Sequence, residues 1–174
     1  MLRRITKTIG IPVLVAVFGV LGMAATASAQ SANGHGTLLV VNEKGSVRRQ
    51  FSFSAKRQAD GSVKGQAILH NPAFEGANGN TYQLKIGISC MKVNGNVAIF
   101  GGTTRRTNDP NLVDTVYFSV QDNGEPGRER DKISSVLFFD DDPNTTGDPQ
   151  LCQGNVPGDF LMNTIESGNI QVKP

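Results

Sequence analysis

Apolar and polar residues alternate along much of the chain with a period of two. The clearest run is Thr81 to Cys90, where Tyr82, Leu84, Ile86, Ile88 and Cys90 fall on one face and Gln83, Lys85, Gly87 and Ser89 on the other. That period belongs to a strand buried on one side. Arg49 to Lys56 repeats it with Phe51, Phe53 and Ala55 inward, and Thr115 to Val120 with Val116, Phe118 and Val120 inward. Further strands are predicted at 37–41, 62–70, 96–105, 133–139 and 169–173. Asp60-Gly61 and Asn94-Gly95 separate apolar runs and supply the positive φ that a tight hairpin turn needs. No long helical period follows. One segment, 159–167, fits neither pattern, and Asp159 there is placed to cap a short helix. Regular short strands with turns between them predict an all-β fold, an antiparallel β-sandwich or, alternatively, a partly open β-barrel.

The first 29 residues read differently. Arg3, Arg4 and Lys7 precede an apolar run from Ile9 to Met23, and Ala27-Ser28-Ala29 follows. A basic start, a short apolar helix and an A-x-A end are the parts of a cleavable signal peptide. The run is short against the roughly 20 apolar residues of a membrane-spanning helix. Residues 30–174 are then expected to form a single exported domain, periplasmic or extracellular, that starts at Gln30 and carries no membrane anchor.

Composition changes the picture once the leader is set aside. The whole chain has 17 Lys and Arg against 15 acids; without the leader's three cations the balance is 14 to 15, net −1. This net charge gives no support to a nucleic-acid partner. Charge is uneven, at +7 over 30–106 and −8 over 107–174. Cys90 and Cys152 are the two cysteines, an even count that predicts a disulfide in an exported chain.

The order of Phe51-Ser-Phe-Ser-Ala55, Val93-x-Gly95-Asn96-x-Ala98-x-Phe100-x-Gly102 and Phe118-x-Val120-x-Asp122-Asn123-Gly124-Glu125-Pro126-Gly127, followed by Asp131 and Ile133, resembles a known domain. It is similar to the β-rich domain that follows choice-of-anchor A modules in bacterial secreted and surface proteins. The resemblance spans about 36–139. It implies an extracytoplasmic, sandwich-like module and brings no catalytic residue with it.

Candidate chemistry is sparse. The G-x-S-x-G, H-E-x-x-H and phosphate-loop patterns are absent. His35 lies in Gly34-His-Gly36 near the expected N-terminus, and His70 precedes Asn71-Pro72; both positions predict loop histidines. Glu125 and Asp131 are the nearest pair for a carboxylate-dependent hydrolase, though Asp122 to Gly127 also reads as turn chemistry. Asp140, Asp142, Asn144 and Asp148 offer oxygens at alternate positions and suit Ca²⁺ in an adhesive domain. That loop lacks the EF-hand glycine and its final Glu, and a solvated acidic turn is the alternative. Arg48, Arg49, Lys56, Arg57 and Lys64 cluster on one hairpin, as a face for an acidic envelope glycan or as edge charges that block strand-to-strand association. The function expected is a non-enzymatic binding or structural module at the cell envelope, with a glycan or a surface protein as partner.

Overall fold

A computed structural model describes residues 29–42, 45–75, 81–107, 114–139, 145 and 147–174. Residues 1–28 of the leader, and Asp140, Asp142 and Asn144 of the acidic loop, lie outside the described residues. The strands are β1 (Ser31–Asn42), β2 (Gly45–Arg57), β3 (Val63–Glu75), β4 (Thr81–Asn94), β5 (Val97–Thr107), β6 (Thr115–Gln121), β7 (Lys132–Ser134), β8 (Leu137–Phe138), β9 (Met162–Thr164) and β10 (Ser167–Lys173). All the pairings are antiparallel and form one sheet in the order β10-β1-β2-β3-β4-β5-β6-β7-β9, with β8 also on β6. The all-β antiparallel class expected from the alternation is the class observed.

The sheet curls over its own core. Phe53 on β2 lies three strands away from Phe100 on β5, yet their ring centroids are 5.4 Å apart. Phe118 on β6 completes the group, 4.7 Å from Phe100 and 6.1 Å from Phe53. The two layers of a sandwich are here two parts of one sheet. Each buried Phe contributes roughly 1.5–3 kcal/mol by leaving water. Room for the rings comes from β1, where Gly34 pairs with Phe53 and Gly36 with Phe51. A Cβ on Gly34 would stand 2.7 Å from the Phe53 ring. Gly34-His-Gly36 is therefore mid-strand, and the expectation of a loop His35 is corrected: His35 pairs with Ser52 on one side and Asn169 on the other.

Several local departures from the alternation have identifiable causes. An extra residue in β4, between Ile88 and Cys90, shifts the β4–β5 register. Such a bulge sends the next side chain to the other face. Ile86, Ile88 and Met91 stay in the main core, whereas Cys90 packs in a second cluster with Ile99, Tyr117, Cys152 and Phe160. The expectation that Cys90 shares a face with Ile86 and Ile88 is thus wrong. His70 does not end its strand: β3 runs on to Glu75 through a register irregularity that takes in Pro72, a residue without an N–H to give the ladder. The strand expected over 133–139 is split into β7 and β8. At the split the Ser134 hydroxyl, instead of a backbone carbonyl, accepts the Ser119 N–H at 2.8 Å. No helix starts at Asp159. Its carboxylate accepts the Val156 N–H at 2.7 Å inside a one-turn 3-10 segment, and β9 follows.

The ladder has a gap on the far side of β10, which pairs with β1. Two carboxylates span it. Asp131 Oδ2 accepts the Ile170 N–H at 2.7 Å and its Oδ1 accepts the Asn123 N–H at 2.8 Å. Asp122 Oδ2 accepts the Val172 N–H at 3.0 Å and its Oδ1 the Gly124 N–H at 2.9 Å. The main chain of Asp131 adds two more bonds, its N–H to the Gly127 carbonyl and its carbonyl to the Ile165 N–H. Asp131 is fully buried, and hydrogen bonds from backbone N–H groups stabilise a carboxylate held away from water. Gly127 is required beside it, because a Cβ there would run into the Asp131 carboxylate.

Asp131→Ala should leave the Asn123 and Ile170 N–H groups without acceptors, at about 1–3 kcal/mol each. A loss of roughly 2–6 kcal/mol in a denaturant titration is expected, and a smaller loss for Asp122→Ala, whose carboxylate is partly exposed. Equal small losses for both would mean that the two bridges carry no closure energy.

Candidate functional site

The curled sheet has two unlike ends. At one end Arg57 ties three segments together: its guanidinium donates to Gln30 Oε1 at 2.9 Å, to the Gly61 carbonyl at 3.0 Å and to the Met91 carbonyl at 2.7 Å. At the other end lies a cavity of about 360 Å³. Two ladder breaks create it. The β2–β3 pairing ends at Gln50 and His70, so Arg49 and Asn71 stand on lips that diverge. Opposite them, the gap between β7 and β8 lines the cavity with Ser134, Ser135 and Val136. Leu38, Phe51 and Leu69 line one side and Ile133, Val136 and Phe138 the other. A mainly apolar pocket of this size with a few polar groups at its rim is the usual form of a small-molecule site.

Parity along β2 divides the basic hairpin. Arg49 and Arg57 share the inward parity of Phe51, Phe53 and Ala55, and Arg49 lines the cavity while Arg57 bonds the Met91 carbonyl of β4. Arg48, Lys56 and Lys64 take the outward parity. Arg48 Nε meets Glu166 Oε2 at 2.9 Å, and Lys56 stands opposite Lys64 in register. The five cations thus do not make one face. They are not edge charges either, because β2 and β3 lie inside the sheet between β1 and β4.

The expected carboxylate pair is also divided in role. Both oxygens of Asp131 accept backbone N–H groups in the seam, which occupies the group a hydrolase would use as acid or base. Glu125 Oε1 accepts from Asn169 Nδ2 at 2.8 Å and Gln171 Nε2 at 3.2 Å on the outside of the same seam. Asp148, from the expected Ca²⁺ set, caps a 3-10 segment over Pro149–Gln153 by accepting the Gln150 N–H at 2.8 Å. His35 lies on the outward face of the sheet, whereas His70, paired with Gln50 at the end of the β2–β3 ladder, borders both that face and the cavity, with its Nε2 3.1 Å from Thr81 Oγ1. The cavity itself was not legible in the sequence. Its one signal was Arg49, a cation at an inward position of an alternating strand.

Residues 147–155 form a strap across the outside of β4, β5 and β6. Tyr117 donates its hydroxyl to the Asp148 carbonyl and Thr115 to the Gly147 carbonyl, each at 2.6 Å. Lys92 Nζ holds the Gln153 and Asn155 carbonyls at 2.9 and 2.7 Å. Burial, reinforced by the negative charges of Asp148 and Asp114, pushes the Tyr117 hydroxyl above its ordinary value of 10.0. Gly101 lets the strap sit close, since a Cβ there would meet the Pro149 carbonyl. The Cys90–Cys152 disulfide, with 6.2 Å between Cα atoms, fixes the strap to β4.

The disulfide closes a loop spanning 62 residues, which the chain-entropy model values at about 4 kcal/mol. Reduction, or Cys152→Ser, should lower the denaturation midpoint accordingly and open 145–157 to protease before the strands are cut. Unchanged cleavage of the reduced protein would mean that the strap's hydrogen bonds hold it without the cross-link.

Set against known proteins, the chain matches no family model, no curated protein and no solved structure.

Proposed function

We propose that the chain acts outside the cytoplasm as a non-enzymatic binding module of the cell envelope, and that its ligand enters the cavity at the open end of the curled sheet. The observation that carries this reading is the cavity: about 360 Å³, apolar on two sides, with neutral polar groups and one arginine around it. The apolar walls of this half-open pocket lack dispersion partners on the side that faces solvent, and a bound ligand can supply them. The leader pattern and the disulfide support the compartment, since such bonds persist where the surroundings are oxidising. The resemblance to the domain that follows choice-of-anchor A modules accords with the same location.

Binding rather than turnover is supported by the way the candidate acid and base groups are used. The Asp131 carboxylate is committed to backbone N–H groups, and Glu125 to two side-chain amides. Neither lines the cavity.

A neutral aromatic probe tests the site. Naphthalene should saturate the protein at one equivalent, followed by its fluorescence or by calorimetry. Ser135 is exposed and on the rim, so Ser135→Trp should keep the fold and lower the affinity at least about tenfold, about 1.4 kcal/mol. Unaltered binding by that variant would place the probe elsewhere, and an absence of binding by the parent would remove the reading.

A further inference from the structure

The order of strands in the sheet gives the uneven charge of the chain a place on the surface. Residues 30–106, with a balance of +7, supply β1 to β5, which are consecutive neighbours in the sheet. The acids of this part are Glu43, Asp60 and Glu75, and none of them is at an interior position of a strand. Its cations other than Lys44 fall on the strands. Lys56 of β2, Lys64 of β3, Lys85 of β4 and Arg105 of β5 all take the outward parity, because Ala55, Val63, Leu84, Ile86 and Thr104 beside them are buried.

Register turns these four into a stripe. Lys56 stands directly opposite Lys64. Two residues along β3 from Lys64, Gln66 pairs with Gly87 of β4, and Arg105 lies over Gly87, where a Cβ would run into its Nε. Lys85 follows two residues along β4. The steps are roughly 5 Å across a pair, 7–8 Å on the diagonal and 7 Å along a strand. Like charges directly opposite are unfavourable in a sheet, so the Lys56–Lys64 pair is a place where an anion gains on binding. Among the described residues none of the four is in an ion pair. Asp60, in the β2–β3 turn, is the acid near Lys64; its carboxyl is held below its ordinary range by Ser62 and, to a smaller extent, by that lysine. Between the cations stand exposed neutral groups, Ser54, Gln66, Ser89 and Thr103.

From this we infer that the outward face of β2–β5 is a second binding surface, which takes an acidic polysaccharide of the polyuronate type along the stripe Lys56, Lys64, Arg105 and Lys85. A polyuronate carries one carboxylate on each sugar, an interval comparable with the spacing of the cations, and its hydroxyls match the serine, threonine and glutamine side chains between them. The guanidinium of Arg105 fits a carboxylate with two parallel N–H groups. An anionic bilayer is the poorer partner, because attachment to a membrane surface draws on large exposed apolar side chains, and Leu39, Val41, Leu137, Phe139, Leu151, Val156 and Leu161, the large exposed ones, are not on this stripe. The inference shares the envelope setting of the function proposed above but not its cavity, so naphthalene binding and polysaccharide binding can each fail alone.

The test uses polygalacturonate, the same polymer methyl-esterified at most of its carboxyls, and phosphatidylglycerol vesicles, with calorimetry at neutral pH and low salt. Polygalacturonate should bind at least about tenfold more tightly than its ester, and added salt should weaken it as it screens the stripe. The combined variant Lys64→Gln, Lys85→Gln and Arg105→Gln should lose at least about tenfold in affinity, whereas Arg128→Gln, which removes an exposed cation of the other half of the chain, should lose less than about twofold. The comparison of the polymer with its ester needs no variant, and Lys56→Gln alone, at an exposed position, should already weaken binding. Equal binding of polymer and ester, or no binding of the polymer, would overturn the inference while the cavity stands. Affinity that survives the combined variant would overturn the placement on this stripe. Tighter binding to the vesicles than to the polymer would overturn the polysaccharide in favour of a bilayer surface.

Discussion

The N–H groups of Ile170 and Val172 point away from β1, toward a side of β10 where, among the described residues, no strand pairs with it. Both residues are buried, and a buried N–H must find an acceptor. Asp131 and Asp122 supply one each, and with their second oxygens they fix the chain between β6 and β7 at Asn123 and Gly124. Side-chain carboxylates thus stand where a neighbouring strand would present carbonyls. A carboxylate can do this across a gap because it accepts at two oxygens and because its charge strengthens each bond. The cost is a buried negative charge at Asp131, met by hydrogen bonds from two backbone N–H groups.

Closure at this seam sets the rest of the interior. With β10 drawn against the β6–β7 connection, β2 faces β5 and β6, and the rings of Phe53, Phe100 and Phe118 meet. The curl leaves little depth at β1, which explains glycine at 34 and 36. It also distinguishes the two ends. At one, Arg57 donates to the Gly61 carbonyl of its own hairpin turn and to oxygens of Gln30 and Met91 in distant segments. At the other, the β2–β3 ladder stops and β7 gives way to β8, and the interior stays open as the cavity beside Arg49. The strap and its disulfide lie on the outer face, where they bury Tyr117, Ile99 and Cys90 and make β6 buried on both sides.

The strands with an apolar inward face were legible because burial on one side imposes a period of two. Leu84, Ile86 and Ile88 obey it; Val116, Phe118 and Val120 alternate with the polar Thr115 and Ser119 although β6 is buried on both faces. What escaped was decided by pairing between distant segments. A bulge of one residue moved Cys90 to the opposite face, and nothing local marks it. Gly34-His-Gly36 looks like a loop until Phe51 and Phe53 are laid across it. Asp122 was visible as a turn residue, and its turn bond to Gly124 is real, but its second contact reaches 50 residues along the chain; Asp131, visible only as a candidate acid or base, reaches 39. For the site, the hairpin cations were noticed as a group, whereas strand parity alone separates Arg49 from Arg48. Segment 162–164 is too short and too polar to announce itself as a strand.

Amide hydrogen exchange at the last strand tests the central claim, that carboxylates seal the sheet, most directly. If Asp131 and Asp122 act as the missing ladder partners, the Ile170 and Val172 amides open only with the sheet as a whole. Their protection then approaches that of the central amides of β5 and β6, with Ile170, bonded to the fully buried carboxylate, the slower of the two. Exchange of both at the rate of a fraying terminal strand, with β5 and β6 still protected, would contradict it: the seam would be open and the curl of the sheet held by the aromatic core alone.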